Sequence, residues 1–160
     1  MQQPVERFIR KNAGIAAACN LVLNPLLAWL VNPRRAEVPL YTGILPDTGT
    51  TCVVMALLIS LFVAADTARA QTAGSIEPVA ALPCPRLLRR LPARPWRLGL
   101  CLGGLAALLV VPCLTGLFHL LGVSGLSLAA FATFKAVYTP LLAYVLARWV
   151  ILRTLADAAP

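Results

Sequence analysis

The sequence of 160 residues contains little charge, since only 12% of its residues are Asp, Glu, Lys or Arg while 59% are hydrophobic. This composition excludes a single soluble domain, because a chain of this length could not bury so much apolar surface. A bilayer is the expected solvent. A transmembrane helix needs about 20 apolar residues, and four stretches reach or approach that length. They leave no room for a separate soluble domain.

Residues that bind metals or carry out catalysis are also scarce. There is one histidine, His119, so a bis-histidine haem site is excluded within one chain. The five cysteines form no CxxC or metal-type cluster, which excludes the cysteine pairs of a disulfide-generating quinone reductase. Asp47 and Asp66 would lie about 28 Å apart on one helix, too far for the paired aspartates of a membrane peptidase. We therefore expect no enzyme, no metal and no cofactor.

The apolar stretches predict an all-α polytopic membrane protein, a four-helix bundle that forms one transmembrane domain over residues 1–160. The predicted helices cover about 13–31, 47–66, 98–121 and 126–151, and a basic loop occupies 67–97. Residues 32–46 contain three prolines and are predicted to form an extramembrane or interfacial loop. Asp47 follows this loop and is a candidate N-cap of the second helix.

The distribution of basic residues predicts the topology. Three lie before the first span, six in the 67–97 loop and two near the C-terminal end, whereas the opposite loops hold only Arg34 and Arg35. By the positive-inside rule, both termini are cytoplasmic. The expected location is a bacterial inner membrane.

Lys135 is the one charged residue predicted to lie deep in the hydrocarbon. An ionisable residue at membrane depth is costly and is a functional-site hypothesis by default. A desolvated lysine can release its proton where an arginine cannot. Lys135 is thus a candidate proton-coupled or substrate-carboxylate site. In the alternative interpretation its side chain rises to Asp47 or to lipid phosphate and only anchors the helix.

Other polar residues are predicted to lie in the same outer half of the bilayer. At about 1.5 Å per residue, Lys135 is roughly 13 Å and Asn24 about 10 Å below the outer boundary. All four helices contribute to this predicted intramembrane polar site, which consists of Lys135, Asn24, Asn20, Tyr138, Asp47, Thr51, Thr115 and His119.

Two further patterns concern packing and lipids. Gly99, Gly103 and Ala107 form a small-residue stripe on the third span, which allows close helix approach, within the chain or in a dimer; we favour the internal contact. In the basic loop, guanidinium groups are expected at anionic headgroups of the cytoplasmic leaflet. The candidates for this headgroup binding are Arg86, Arg89, Arg90, Arg94 and Arg97.

Several short motifs resemble those of small uncharacterised bacterial inner-membrane proteins with four spans. They are the N-x-x-x-N-P of the first span, the Asp-Thr that opens the second, the RPW before the third and the FKA of the fourth. The resemblance implies the four-span architecture and brings no known activity or site.

Two functions are consistent with these features. The first is a transporter or permease-like protein that handles an unidentified small solute at the polar site around Lys135. Such a small bundle encloses little volume, so a homodimer is expected if it transports. The alternative is a non-catalytic structural or assembly subunit, whose basic loop binds anionic lipid or a partner protein. No nucleic-acid binding is expected, because most of the basic residues are placed on one side of the predicted membrane spans, as the positive-inside rule expects.

Overall fold

A computed structural model describes residues 2–32, 36–76 and 90–157. Four long helices dominate the described residues, and the described parts of their connections include two three-residue strands and one π-helical turn. Within these ranges the elements in chain order are α1 (Gln2–Val31), β1 (Glu37–Pro39), the π-helical turn Leu40–Ile44, α2 (Leu45–Thr72), α3 (Pro95–Leu120), β2 (Gly125–Ser127) and α4 (Leu128–Asp157).

All four helices are long and apolar enough to cross a membrane, which confirms the predicted all-helical class with four candidate membrane spans. They extend beyond the apolar windows from which they were predicted, most clearly at the start of α1. Val5 and Ile9, one helical turn apart, are buried against Ile151 and Leu155 of α4. Packing between amphipathic ends therefore prolongs the helices past the length that hydropathy alone indicates.

The helices pack in the order α1, α4, α2, α3, since α1 packs against α4, α4 against α2, and α2 against α3. The central core draws on all four helices, with Ala13, Met55, Leu102 and Ala147 among its buried members. Because α4 lies between α1 and α2, these two helices form the walls of a groove that has α4 as its floor.

The contact between α2 and α3 depends on two glycines of the predicted stripe. A Cβ atom at Gly99 would lie 2.7 Å from the Cα of Leu57, and one at Gly103 would lie 2.7 Å from the Cα of Val53. These distances are too short for any side chain. The prediction that the stripe serves internal packing is thus confirmed for Gly99 and Gly103.

One end of the helix array is closed by a small antiparallel sheet, and we call this the hairpin end. Val38 of β1 pairs with Leu126 of β2, and the amide of Leu40 donates to the carbonyl of Ser124 at 2.8 Å. Val38 and Leu40 of the first connection and Val123 and Leu126 of the second pack against apolar residues of the helix ends, including Phe131. Residues 37–44 of the predicted extramembrane or interfacial loop therefore form a strand and a π-helical turn that pack onto the helix ends, while residues 33–35 lie outside the described residues.

The same sheet shifts the start of the last helix. Residues 126–127, predicted to be helical, lie in β2. Ser127 accepts a hydrogen bond through its Oγ from the amide of Ala130 at 3.2 Å, so its side chain caps the first turn of α4. Before β2, Gly122 has a φ of 64°, which lets the chain turn sharply after α3.

The opposite end, which we call the terminal end, holds the start of α1 and the ends of α2 and α4. Val5, Ile9, Ile76, Ile151 and Leu155 form its apolar cluster. Arg153, counted in the sequence as a topology-determining charge, is buried there and donates from Nε to the carbonyl of Leu91 at 3.0 Å. This contact ties α4 to the segment that precedes α3.

Candidate functional site

Lys135 lies in α4, two turns from its start, and its side chain points into the protein. It is only 2% exposed. Its Nζ lies 5.5 Å from the centroid of the Phe131 ring, one turn earlier on the same face of the helix. An ammonium group over an aromatic face is stabilised by the ring quadrupole. The lysine is thus built into the packing between helices.

The partner of Lys135 is the carboxylate of Asp47 in the first turn of α2. Lys135 Nζ lies 2.6 Å from Asp47 Oδ2 and 3.3 Å from Thr51 Oγ1. The hydroxyl of Thr51 also donates to Asp47 Oδ2, at 3.5 Å. Both hydrogen bonds to the carboxylate therefore meet on one oxygen, while the Asp47 side chain remains 30% exposed. The pair is asymmetric, with an enclosed cation and an accessible anion.

The expectation that Asp47 is the N-cap of α2 is wrong. The chain is already helical in the π-turn before α2, and the N-cap position is taken by Ile44, which makes no side-chain cap hydrogen bond. Asp47 lies inside the first turn, where a carboxylate is favoured by the helix dipole. Its side chain is consequently available to Lys135.

Two asparagines and a threonine continue the polar cluster between α1 and α4. Asn24 is buried and donates from Nδ2 to Asn20 Oδ1 at 2.7 Å. The hydroxyl of Thr139 lies 3.2 Å from the carbonyl oxygen of Asn20 and 2.7 Å from that of Lys135. Since the hydroxyl has one proton, it can donate to only one of these carbonyls at a time. These contacts join α1 to the part of α4 that carries the lysine.

The polar cluster lines a cleft of about 280 Å³ between α1 and α2, which we call the hairpin-side cleft. Its polar lining comes from three helices, and apolar residues of α1 and α2 complete it. The residues around it are Asn20, Leu23, Asn24, Leu27, Val31, Asp47, Thr50, Thr51, Val54, Met55, Leu58 and Lys135.

A second cleft of about 370 Å³ continues between the same two helices toward the terminal end, and we call it the terminal-side cleft. It shares Asn20, Leu23, Met55 and Leu58 with the first. Its lining is mostly apolar, with Asn12 and Asp66 as its other polar members besides Asn20. The two clefts adjoin along α1 and α2, and together they are called the groove below.

The structure brings five of the predicted site residues together around this cleft, namely Lys135, Asp47, Thr51, Asn20 and Asn24. Tyr138 lies beside them: its ring stacks on Phe134 at 4.7 Å, and its buried hydroxyl has no hydrogen-bond partner among the described residues. Thr115 and His119 do not line the cleft. Thr115 donates to the carbonyl of Val111 in its own helix at 2.8 Å, and His119 is exposed.

The predicted headgroup-binding arginines are placed only in part. Arg90, Arg94 and Arg97 are exposed near the start of α3, and the guanidinium of Arg97 lies 5.0 Å from the Trp96 ring centroid. Arg86 and Arg89 lie outside the described residues. The three placed arginines are free of the apolar core and accessible to an anionic partner.

Sequence reasoning missed two residues that contact Lys135: Phe131, whose ring lies below the ammonium, and Thr139, whose hydroxyl lies near the backbone carbonyl of the lysine. Both lie four residues from Lys135 and therefore on the same helix face. That spacing was visible in the sequence. Neither residue stood out, because a phenylalanine and a threonine are both ordinary in an apolar helix.

No protein family, curated protein or solved structure matches this chain. Within the described ranges, no group of three or more His, Cys, Asp or Glu residues is placed to hold a metal ion.

Proposed function

We propose that this protein is a small integral membrane protein of transporter type, whose solute site is the hairpin-side cleft at the Lys135–Asp47 pair. The observation that carries the proposal is an ion pair with a 2% exposed lysine that lines an open cleft of about 280 Å³. Charged groups inside a membrane protein are expensive and commonly mark the path of a substrate or ion. A purely structural pair would not need an adjoining cavity.

In the proposed orientation both termini face the cytoplasm of a bacterial cell and the hairpin end faces outward. The charge distribution of the sequence supports this topology, because the segments at the terminal end carry most of the arginines. Reporter fusions after Gly74 and after Gly122 test it. Cytoplasmic activity is expected for the first and extracytoplasmic activity for the second, and the reverse result would overturn the orientation.

A transporter site must be reached by water from each side in turn, which can be tested without knowing the solute. Leu23 lies in both clefts, whereas its neighbour Val22 lines neither and is 64% exposed. In a variant with the native cysteines replaced, Leu23→Cys is treated with a membrane-impermeant cationic thiol reagent from either side of sealed vesicles. We expect Leu23→Cys to react from both sides. Val22→Cys should not react, because a thiol in hydrocarbon does not form a thiolate.

Other outcomes of that experiment contradict the proposal. If Leu23→Cys reacts from one side of the membrane only, the cleft is a binding site of a protein that does not transport its ligand. Protection from both sides would favour the second candidate, a structural or assembly subunit.

That second candidate is supported by the exposed arginines 90, 94 and 97. Its test is retention on anionic vesicles: neutralising these three should release the solubilised protein, whereas the Lys135→Met variant should still bind.

A further inference from the structure

The groove between α1 and α2 is much longer than a pocket for a compact solute. Its two clefts share Asn20, Leu23, Met55 and Leu58, so they adjoin end to end. The groove reaches from Asp47 to Asp66, which at about 1.5 Å per residue is roughly 28 Å of helix. This is close to the hydrocarbon thickness of about 30 Å. Its occupant must be elongated.

The groove is polar at its hairpin end, apolar over its middle, and polar again at Asn12 and Asp66 of its terminal end. At the hairpin end its wall carries the carboxylate of Asp47, the hydroxyl of Thr51 and the amide of Asn24. In the terminal-side cleft the wall is formed largely by Ile15, Leu58, Ile59 and Phe62, among others. The polar hairpin end and the apolar middle together match one polar head and one hydrocarbon chain.

The different exposure of Lys135 and Asp47 indicates which chemical class of head group can bind at this end of the groove. The ammonium of Lys135 is enclosed and already contacts Asp47, Thr51 and the Phe131 ring, so it is not offered to an anion. The accessible charge belongs to Asp47, which would repel a carboxylate or phosphate. A cationic head would add net charge to a neutral pair in apolar surroundings, which is costly. A hydroxyl head can donate to Asp47 without adding charge, and both hydrogen bonds that this carboxylate accepts from described residues fall on Oδ2.

From these observations we infer that the groove binds a single-chain amphiphile with an uncharged, hydroxyl-bearing head, of the monoacylglycerol or long-chain alcohol type. The head lies against Asp47, Thr51 and Asn24, and the chain follows Leu23, Leu58 and Phe62. This inference rests on the proposed function and names the class of its substrate.

The test uses a monoacylglycerol that carries a photoreactive diazirine in its acyl chain, with the protein in phosphatidylcholine nanodiscs. After irradiation, cross-linked residues are mapped by mass spectrometry. We expect labels on α1 and α2 residues of the groove to exceed those on Leu108 and Leu109, exposed residues of α3, by at least tenfold. Excess monoolein should suppress the groove labels, whereas oleic acid and oleylamine should not.

Two substitutions on adjacent residues provide the matched control. Leu23→Trp fills the groove where the clefts meet and should reduce its labelling at least tenfold. Val22→Trp adds the same ring outside the groove and should leave labelling unchanged. Both residues are more than half exposed, at 53% and 64%, so neither change disturbs the core. Thermal unfolding of each variant checks that the fold is retained.

Equal competition by oleic acid or oleylamine, or labelling that survives Leu23→Trp, would overturn the inference. The failure of this inference and that of the proposed function are distinguishable. If Leu23→Cys reacts from both sides of the membrane but monoolein does not compete, only the substrate class is wrong. If monoolein competes but the cysteine reacts from one side only, the amphiphile binds to a protein that does not transport it.

Discussion

Helix α2 packs very differently on its two sides. Toward α3 it meets a backbone, since Gly99 and Gly103 bring α3 to within van der Waals distance of Leu57 and Val53. Toward α1 it carries Asp47 and Thr51 and borders an open groove. The first side has no space for a methyl group, whereas the second has space for a molecule. The close contact with α3 therefore fixes α2 on one face, while the opposite face of α2 is polar and accessible from the groove.

Removing Asp47 should have the largest effect on stability. Asp47→Leu leaves the enclosed ammonium of Lys135 without its anion, and breaking a buried pair in this way costs about 3–5 kcal/mol. Lys135→Met should cost less, because the carboxylate that it leaves behind is 30% exposed and can be hydrated. Unfolding in mixed micelles measures both free energies.

The double variant Asp47→Leu/Lys135→Met is the control for this asymmetry. It leaves no unpaired charge, so it should recover most of the stability lost in Asp47→Leu. If Lys135→Met instead proves the more damaging single change, the enclosed cation is not the costly member of the pair.

The next largest effect is expected at the closed side of α2. Gly103→Ala would place a Cβ 2.7 Å from the Cα of Val53 and 3.1 Å from the carbonyl oxygen of Cys52. Backbone atoms cannot move aside as side chains do, so we expect a loss of about 1–3 kcal/mol.

Gly104→Ala is the matched control, since nothing lies within 4 Å of a Cβ at that position. There, alanine should stabilise the helix, by up to about 1 kcal/mol. Equal effects of the two substitutions, measured by the same unfolding assay, would mean that α2 and α3 are not in close contact.

These two regions also differ in how far the sequence revealed them. The glycine spacing on α3 predicted a close contact because a helix period of about 3.6 places residues four apart on one face. The groove could not be predicted in this way. It depends on α4 inserting between α1 and α2, an order of packing that local periodicity does not encode.

The candidate site was predictable in its members better than in its geometry. Depths along the helices grouped Lys135, Asn24 and Asp47 correctly near one end. The sequence analysis offered two separate interpretations of Lys135, a site residue or an anchor to Asp47. In the structure Lys135 has both features, since it is bonded to Asp47 and also lines the cleft. Thr115 and His119 were grouped by depth alone, and the packing of α3 behind α2 keeps them away from the cleft.

A smaller effect should follow from the hydrogen bonds that join α1 to α4. Thr139→Val keeps the shape of the side chain but removes the hydroxyl that lies near the carbonyls of Asn20 and Lys135. The expected loss is about 0.5–1.5 kcal/mol. Thr133→Val is the control on the same helix, because its hydroxyl bonds only within the helix at an exposed position. A loss as large for Thr133→Val would show that the contact to α1 contributes nothing.

The smallest effect on stability is expected at Tyr138, and it defines how far the polar site extends. Its hydroxyl is buried without a partner among the described residues, near Thr48, whose hydroxyl is in the same state. Tyr138→Phe keeps the ring stacked on Phe134 and removes an unsatisfied group, so stability should stay unchanged or rise by about 1 kcal/mol at most. A loss of stability greater than about 1 kcal/mol would instead mean that an ordered water bridges the hydroxyls of Tyr138 and Thr48. In that case Thr48→Val should cause a similar loss, and the combined variant should lose little more than either alone, because both changes remove the same bridge.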